Sequence, residues 1–109
     1  MMPHEITVQD LAAMIKGGTP VRIVDVREDW EREIGAIPGS LHIPMNSVPQ
    51  RAAEFKAPEG TEVVIYCHAG VRSMMVAGFL EMNGLQGLAS LAGGIEAWSC
   101  EIDPSVPRY

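Results

Sequence analysis

Cysteine is scarce in this chain: Cys67 and Cys100 are the only two among 109 residues, 33 positions apart. Two thiols at that spacing make neither a disulfide scaffold nor a CxxC or zinc pattern, so the fold is expected to stand without either. Long apolar runs are missing too. Nothing approaches the ~18 consecutive apolar residues that a membrane span needs. Met1-Met-Pro-His-Glu5 has no basic stretch leading into an apolar run, so no signal peptide is expected. Positive charge is also in short supply, with eight Lys and Arg against 14 Asp and Glu and a net charge of −6. Such a balance repels phosphate backbones and argues against nucleic acid as a partner. No repeat, linker or low-complexity segment interrupts the chain. A reducing cytoplasm is the default location, and a monomer the default state.

Hydrophobic residues make up 47% of the chain. A domain of this size buries about two-thirds of the surface that its unfolded chain exposes, enough for a core without staples. The expectation is one domain over residues 1–109, with 99–109 as a C-terminal tail.

Short apolar runs alternate with helical segments, the pattern of a parallel sheet covered by helices. Ile6 belongs to a short first strand. Thr7 and Asp10 form a capping box for a helix with Leu11, Met14 and Ile15 on one face, stopped by Gly17-Gly18. Val21–Val26 reads as a strand, followed by a charged loop or short helix ending near Gly35. Leu41–Ile43 is a very short strand stopped by Pro44. Asn46 or Ser47 caps a helix through Phe55 with Pro49 in its first turn, and Glu62–Tyr66 is the next strand. A helix over Ser73–Asn83 is apolar on nearly every side, which predicts deep burial, and Gly84 ends it. Leu88–Leu91 is the last strand, and Gly93-Gly94 opens a short helix through Trp98.

Parallel strands all end on one edge of their sheet, where ligands collect. Three strand ends therefore converge: Asp25-Val-Arg27, Cys67–Arg72 and Ala92-Gly-Gly94. Cys67 stands at the end of a buried strand, in a tight loop that runs into a helix. Backbone N–H groups in a turn and at a helix N-terminus, with an Arg nearby, favour the nucleophilic thiolate over the thiol. Cys67 is thus the candidate nucleophile. Arg72 closes the loop, where its guanidinium would steady the thiolate or an anionic substrate; the plainer reading is a surface residue paired with an acid.

His68 reads equally as a positive rim of the pocket or as a solvated spectator. For Asp25 and Arg27, an ion pair that fixes loops and a direct substrate contact explain the sequence equally well. His42 reads as a hydrogen-bonded structural residue and Cys100 as a spectator. Met74 and Met75 read as core filler, and Trp30 and Trp98 as packing residues.

Four motifs now stand in order along the chain: Val24-Asp-Val-Arg-Glu28, Gly35-Ala-Ile-Pro-Gly-Ser-Leu-His-Ile-Pro44, Tyr66-Cys-His-Ala-Gly-Val-Arg-Ser73 and Leu91-Ala-Gly-Gly-Ile-Glu-Ala-Trp98. Together they resemble a single-domain rhodanese. The resemblance implies an α/β fold with a central five-stranded parallel sheet and helices on both faces. It implies a sulfurtransferase in which Cys67 takes a sulfane sulfur from thiosulfate or a persulfide, then yields it to cyanide, a thiol or a protein. By the same resemblance the loop residues His68, Ala69, Gly70, Val71 and Ser73 wrap the transferred sulfur, while Asp25 and Arg27 support the site edge. The persulfide on Cys67 is the covalent intermediate, and neither a metal nor another cofactor is implied. A small donor and acceptor, or a persulfide-carrying protein, are the implied partners.

Two rivals remain. A cysteine phosphatase or arsenate reductase shares the cradled thiolate, but its signature puts Arg six positions after Cys, whereas here the spacing is Cys-x4-Arg. A shorter ring of N–H groups suits a single sulfur better than a tetrahedral oxyanion. A partner-specific sulfur relay, or a regulatory binding module of rhodanese type, is the other; the presence of Cys67 removes the main support for an inert module.

Overall fold

In the computed structural model residues 4–109 are described. The first three residues, part of the stretch read above as lacking a leader, lie outside them. The elements alternate as the apolar runs suggest: β1 (His4–Ile6), α1 (Val8–Lys16), β2 (Val21–Asp25), α2 (Asp29–Ile34), β3 (Leu41–His42), α3 (Val48–Arg51), β4 (Glu62–Tyr66), α4 (Val71–Met82), β5 (Leu88–Leu91) and α5 (Gly94–Glu101). Single turns of 3-10 helix, Met45–Ser47 and Ala52–Phe55, flank α3. The five strands form one sheet in the order β1-β5-β4-β2-β3, every pair parallel. β4 therefore occupies the middle, and Cys67 leaves it between the ends of β2 and β5.

Side chains alternate across a strand. Along β4, Val64 and Tyr66 join a cluster with Leu11, Ile23, Leu91, Ile95 and Trp98, beneath α1 and α5. Val63, Ile65 and Cys67 join the opposite cluster with Val24, Ile43, Phe55, Val76, Ala77 and Leu80, beneath α3 and α4. Helices thus cover both faces of the sheet, and Cys67 belongs to the α4 side. The capping box of α1 is formed as expected, Asp10 N–H donating to Thr7 Oγ1 and Thr7 N–H to Asp10 Oδ2, each at 3.1 Å.

Several expectations shift. Helix α4 starts at Val71 rather than Ser73, and it is buried on one side only. Ser73, Val76, Ala77 and Leu80 face the sheet, while Val71, Met75, Phe79 and Met82 lie exposed. Among the described residues nothing covers the outer side of α4, so its apolar residues stay in water and Met75 is not core filler. Ile15 of α1 is likewise exposed beyond the buried Leu11. Trp98 packs in the core, but Trp30 is exposed, its ring edge-on to Tyr109 at 5.9 Å. The segment expected to cap a helix at Asn46 or Ser47 is broken into short turns, and Ser47 makes no side-chain cap bond. Helix α5 runs on to Glu101, and the residues after it are no free tail: Val106 is buried and Pro107 packs on Gly35 so closely that a Cβ there would meet its ring at 2.7 Å.

Beneath the edge where the three strand ends meet lies a buried charge pair. Asp25 and Arg27 are both fully buried; Asp25 Oδ1 accepts from the backbone N–H and Nε of Arg27 at 2.9 Å each, and Oδ2 accepts from Nη2 at 2.8 Å. Arg27 also donates to the Gly35 carbonyl at 2.6 Å. Tyr66, at the end of β4, donates its hydroxyl to Asp25 Oδ2 at 3.1 Å and accepts from the Ile37 N–H at 3.1 Å. Burial alone would push the Asp25 carboxyl up, but the bonds from Arg27 and Arg32 outweigh it and hold the group below its ordinary value.

Tyr66→Phe removes one hydroxyl from this network and strands the Ile37 N–H. A loss of about 1–3 kcal/mol is expected, read as a lower denaturant midpoint at unchanged slope. An unchanged midpoint would show that the network does not depend on this hydroxyl.

Candidate active site

The loop from Cys67 to Arg72 closes because glycine stands where the backbone needs it. Gly70, the N-cap of α4, has φ of 110°, a left-handed conformation that side chains rarely adopt. From below, the first turn of α5 fastens the loop: the Ile95 N–H donates to the Cys67 carbonyl at 3.0 Å and the Glu96 N–H to the His68 carbonyl at 3.1 Å. Gly94 makes this approach possible. A Cβ there, at φ of 56°, would stand 2.5 Å from both carbonyl oxygens.

Cys67 is only 1% exposed and its thiol is free. Its Sγ accepts from the Gly70 N–H at 3.1 Å and the Ser73 N–H at 3.4 Å. The N–H groups of Val71 and Arg72 belong to the first turn of α4, where no preceding turn offers a carbonyl. The Ser73 hydroxyl lies 3.6 Å from Sγ and 2.7 Å from the hydroxyl of Ser90 on β5. Sγ thus sits among hydrogen-bond donors at the start of a helix, the surroundings that stabilise negative charge on sulfur.

Arg72 is held by an acid, the plainer of its two readings. Its guanidinium forms a two-pronged pair with Glu31 of α2, at 2.6 and 2.9 Å, rather than a hydrogen bond to Sγ. Tyr109 donates to the same carboxylate at 2.6 Å and accepts from Arg27 Nη1 at 3.0 Å. The Arg72 guanidinium, helped by the Tyr109 hydroxyl, holds Glu31 down to about 2. Tyr109 is pushed up to about 12, by burial first and by its bond to Glu31 second. Beside Arg72 opens a depression of about 400 Å³ that also takes in Glu28, Asp29, Asn46 and Ser47.

His68 stands at the rim, its ring stacked on that of Tyr109 at 4.2 Å and Nε2 3.9 Å from Glu96 Oε1. Asp25 and Arg27, converging on the same edge, are sealed below it, so of the two readings left open the loop-fixing ion pair is the one the structure shows. His42 is hydrogen-bonded to the Arg27 carbonyl at 2.8 Å, as a structural residue would be. Cys100 lies exposed on α5, its thiol 3.8 Å from Glu96 Oε2.

The rhodanese-like domain family matches the chain over residues 7–101. The chain belongs to the rhodanese family. A sulfurtransferase of Allochromatium vinosum is 36% identical over 98 residues, the match covering 90% of each chain. A putative sulfurtransferase of Bacillus subtilis, YtwF, is 33% identical over 100 residues, covering 92% of this chain and 94% of that protein. Among solved structures, a rhodanese-like domain protein from Staphylococcus aureus superposes with a TM-score of 0.81 at 34% identity, covering 97% of this chain and 98% of the other.

Within this rhodanese domain, the surroundings of the loop hold residues that sequence reasoning passed over. Glu31 and Ser90 had a signal: Glu31 stands three residues after Glu28, the spacing of a capping box, and Ser90 is a hydroxyl in an otherwise apolar strand. Tyr109 had none, because nothing local links a residue beyond Pro107 to a loop some forty positions earlier.

Glu31→Gln tests the Arg72 pair. A carboxyl lowered on folding stabilises the native state fully above its ordinary value of 4.5, and that contribution is lost as pH falls towards about 2. The variant should melt below the parent at neutral pH, with the gap closing between those two values. A gap that stays constant on acidification would mean that the carboxylate charge is not its source.

Proposed function

We propose that the protein is a sulfurtransferase that carries a sulfane sulfur as a persulfide on Cys67. The observation that carries this reading is the convergence of the Gly70 and Ser73 N–H groups on Sγ inside a loop of only four residues between Cys67 and Arg72. Such a cradle suits a single sulfur atom with developing negative charge.

In the proposed cycle the Cys67 thiolate attacks the outer sulfur of the donor. A new S–S bond forms, the donor's bond to that sulfur breaks, and its electron pair leaves with the donor as sulfite or as a thiolate. A nucleophilic acceptor then takes the outer sulfur, and the pair of the Cys67 S–S bond returns to Sγ. No external oxidant or reductant enters, and the cycle calls for no metal or cofactor. It does call for Cys67 to be kept reduced, which fits a cytoplasmic setting.

The electrostatics favour one donor class. Arg72 is neutralised by Glu31, and the depression beside it carries Glu28 and Asp29. Thiosulfate, a compact dianion, brings its whole charge into that field, whereas a persulfide on a protein or a small thiol keeps most of its charge away from the transferred sulfur. The Cys-x4-Arg spacing weighs against phosphate chemistry, whose signature places Arg six positions after Cys.

Incubation with glutathione persulfide should add the mass of one sulfur to Cys67, and cyanide should remove it. Cys67→Ser should lose the gain entirely while keeping the fold; a serine variant that still takes up sulfur would refute the proposal.

Thiosulfate should load Cys67 more slowly than the persulfide, and its rate should rise with ionic strength as the acidic rim is screened. Efficient loading at submillimolar thiosulfate with no salt effect would overturn the donor assignment.

A further inference from the structure

Two hydroxyls lie beneath Cys67, and their protons can be assigned by elimination. Ser73 and Ser90 are both fully buried. Ser90 Oγ has Ser73 Oγ, 2.7 Å away, as its one side-chain hydrogen-bond partner among the described residues. Ser73 Oγ has two further neighbours, the Gly70 carbonyl at 3.3 Å and Cys67 Sγ at 3.6 Å. Each hydroxyl owns one proton. If Ser73 donated to Ser90, the Ser90 proton would be buried without an acceptor, which folded proteins avoid. Ser90 therefore donates to Ser73. The Ser73 proton is left to the Gly70 carbonyl or to Sγ.

We propose that Ser90 is a positioning residue for sulfur transfer: by donating to Ser73, it fixes the Ser73 side chain beneath Cys67 and polarises its hydroxyl as a donor to Sγ. The proposal rests on the reading of Cys67 as the sulfur carrier. Its moment is the second half of the cycle. As the acceptor's electron pair bonds to the outer sulfur, the S–S bond breaks and its pair arrives on Sγ. The Ser73 O–H, resting on the Gly70 carbonyl while the sulfur is neutral, rotates about its C–O bond and donates to the new thiolate. No proton is transferred. A hydrogen bond to an anion is stronger than one to a neutral carbonyl, so the rotation lowers the barrier to discharge. Ser90 touches neither donor nor acceptor and acts through Ser73 alone.

The test is a double-mutant cycle on the intact chain. Each protein is loaded with glutathione persulfide and discharged to cyanide in a single turnover, and Cys67 is separately alkylated with iodoacetamide across pH. Ser90→Ala should slow discharge about tenfold, the effect of weakening one hydrogen bond to a charged group. Cyanide saturation should be unaltered. In the Ser73→Ala background the same change should do nothing further. The alkylation profile of Ser90→Ala should move to higher pH, a readout that mere packing would not shift. Melting should stay near the parent's, since Ser73 keeps the Gly70 carbonyl. An unchanged discharge rate, full additivity with Ser73→Ala, or slowed discharge with an unmoved alkylation profile would each overturn the assignment. Alkylation needs no sulfur donor. Parent protein that takes up no sulfur would refute the carrier reading, while the alkylation arm would still decide the hydroxyl pair.

Discussion

The buried pair of Asp25 and Arg27 is the constraint around which the site is assembled. A charged pair without solvent survives only when its remaining lone pairs and protons are satisfied, and breaking such a pair leaves an uncompensated charge at a cost of about 3–5 kcal/mol. Here the satisfaction comes from many directions at once. Asp25 at the end of β2 receives Tyr66 from the end of β4 and Arg32 from α2. Arg27 reaches the Gly35 carbonyl and Tyr109. Segments far apart in the chain are thereby pinned to one point below the loop that carries Cys67.

From that point the order spreads to the loop by two routes. One runs through α2 and Tyr109, which hold Glu31 against Arg72 and Tyr109 against His68. The other runs through α5, whose first N–H groups take the Cys67 and His68 carbonyls because Gly94 has no side chain to keep them apart. The loop is held at its mouth by ion pairs and from beneath by backbone bonds. That leaves the Gly70 and Ser73 N–H groups aimed at sulfur.

Much of this was legible beforehand where the controlling physics is local. Apolar runs bounded by Gly and Pro located the strands, and Thr7 with Asp10 marked the start of α1. The parallel arrangement brought three strand ends together without any knowledge of strand order. Reading failed where the second side of an element decided the outcome. The apolar surface of α4 gave no hint that only one side would be covered, so Met75 and Phe79 were expected inside and lie outside. Asp25 and Arg27 offered two readings because charged residues at a strand end look alike whether they face solvent or a sealed network.

The sequence by itself determined the alternation of strand and helix, the convergence of three strand ends, and the place of Cys67 at one of them, because periodicity, turn residues and the position of Cys67 act over a few neighbouring residues. Only the tertiary structure decided what surrounds the sulfur. It gave Arg72 to Glu31, stacked Tyr109 on His68 and set Ser90 beneath Ser73. Each of those contacts joins residues at least seventeen positions apart, and contacts at that distance are chosen by packing rather than by local chemistry.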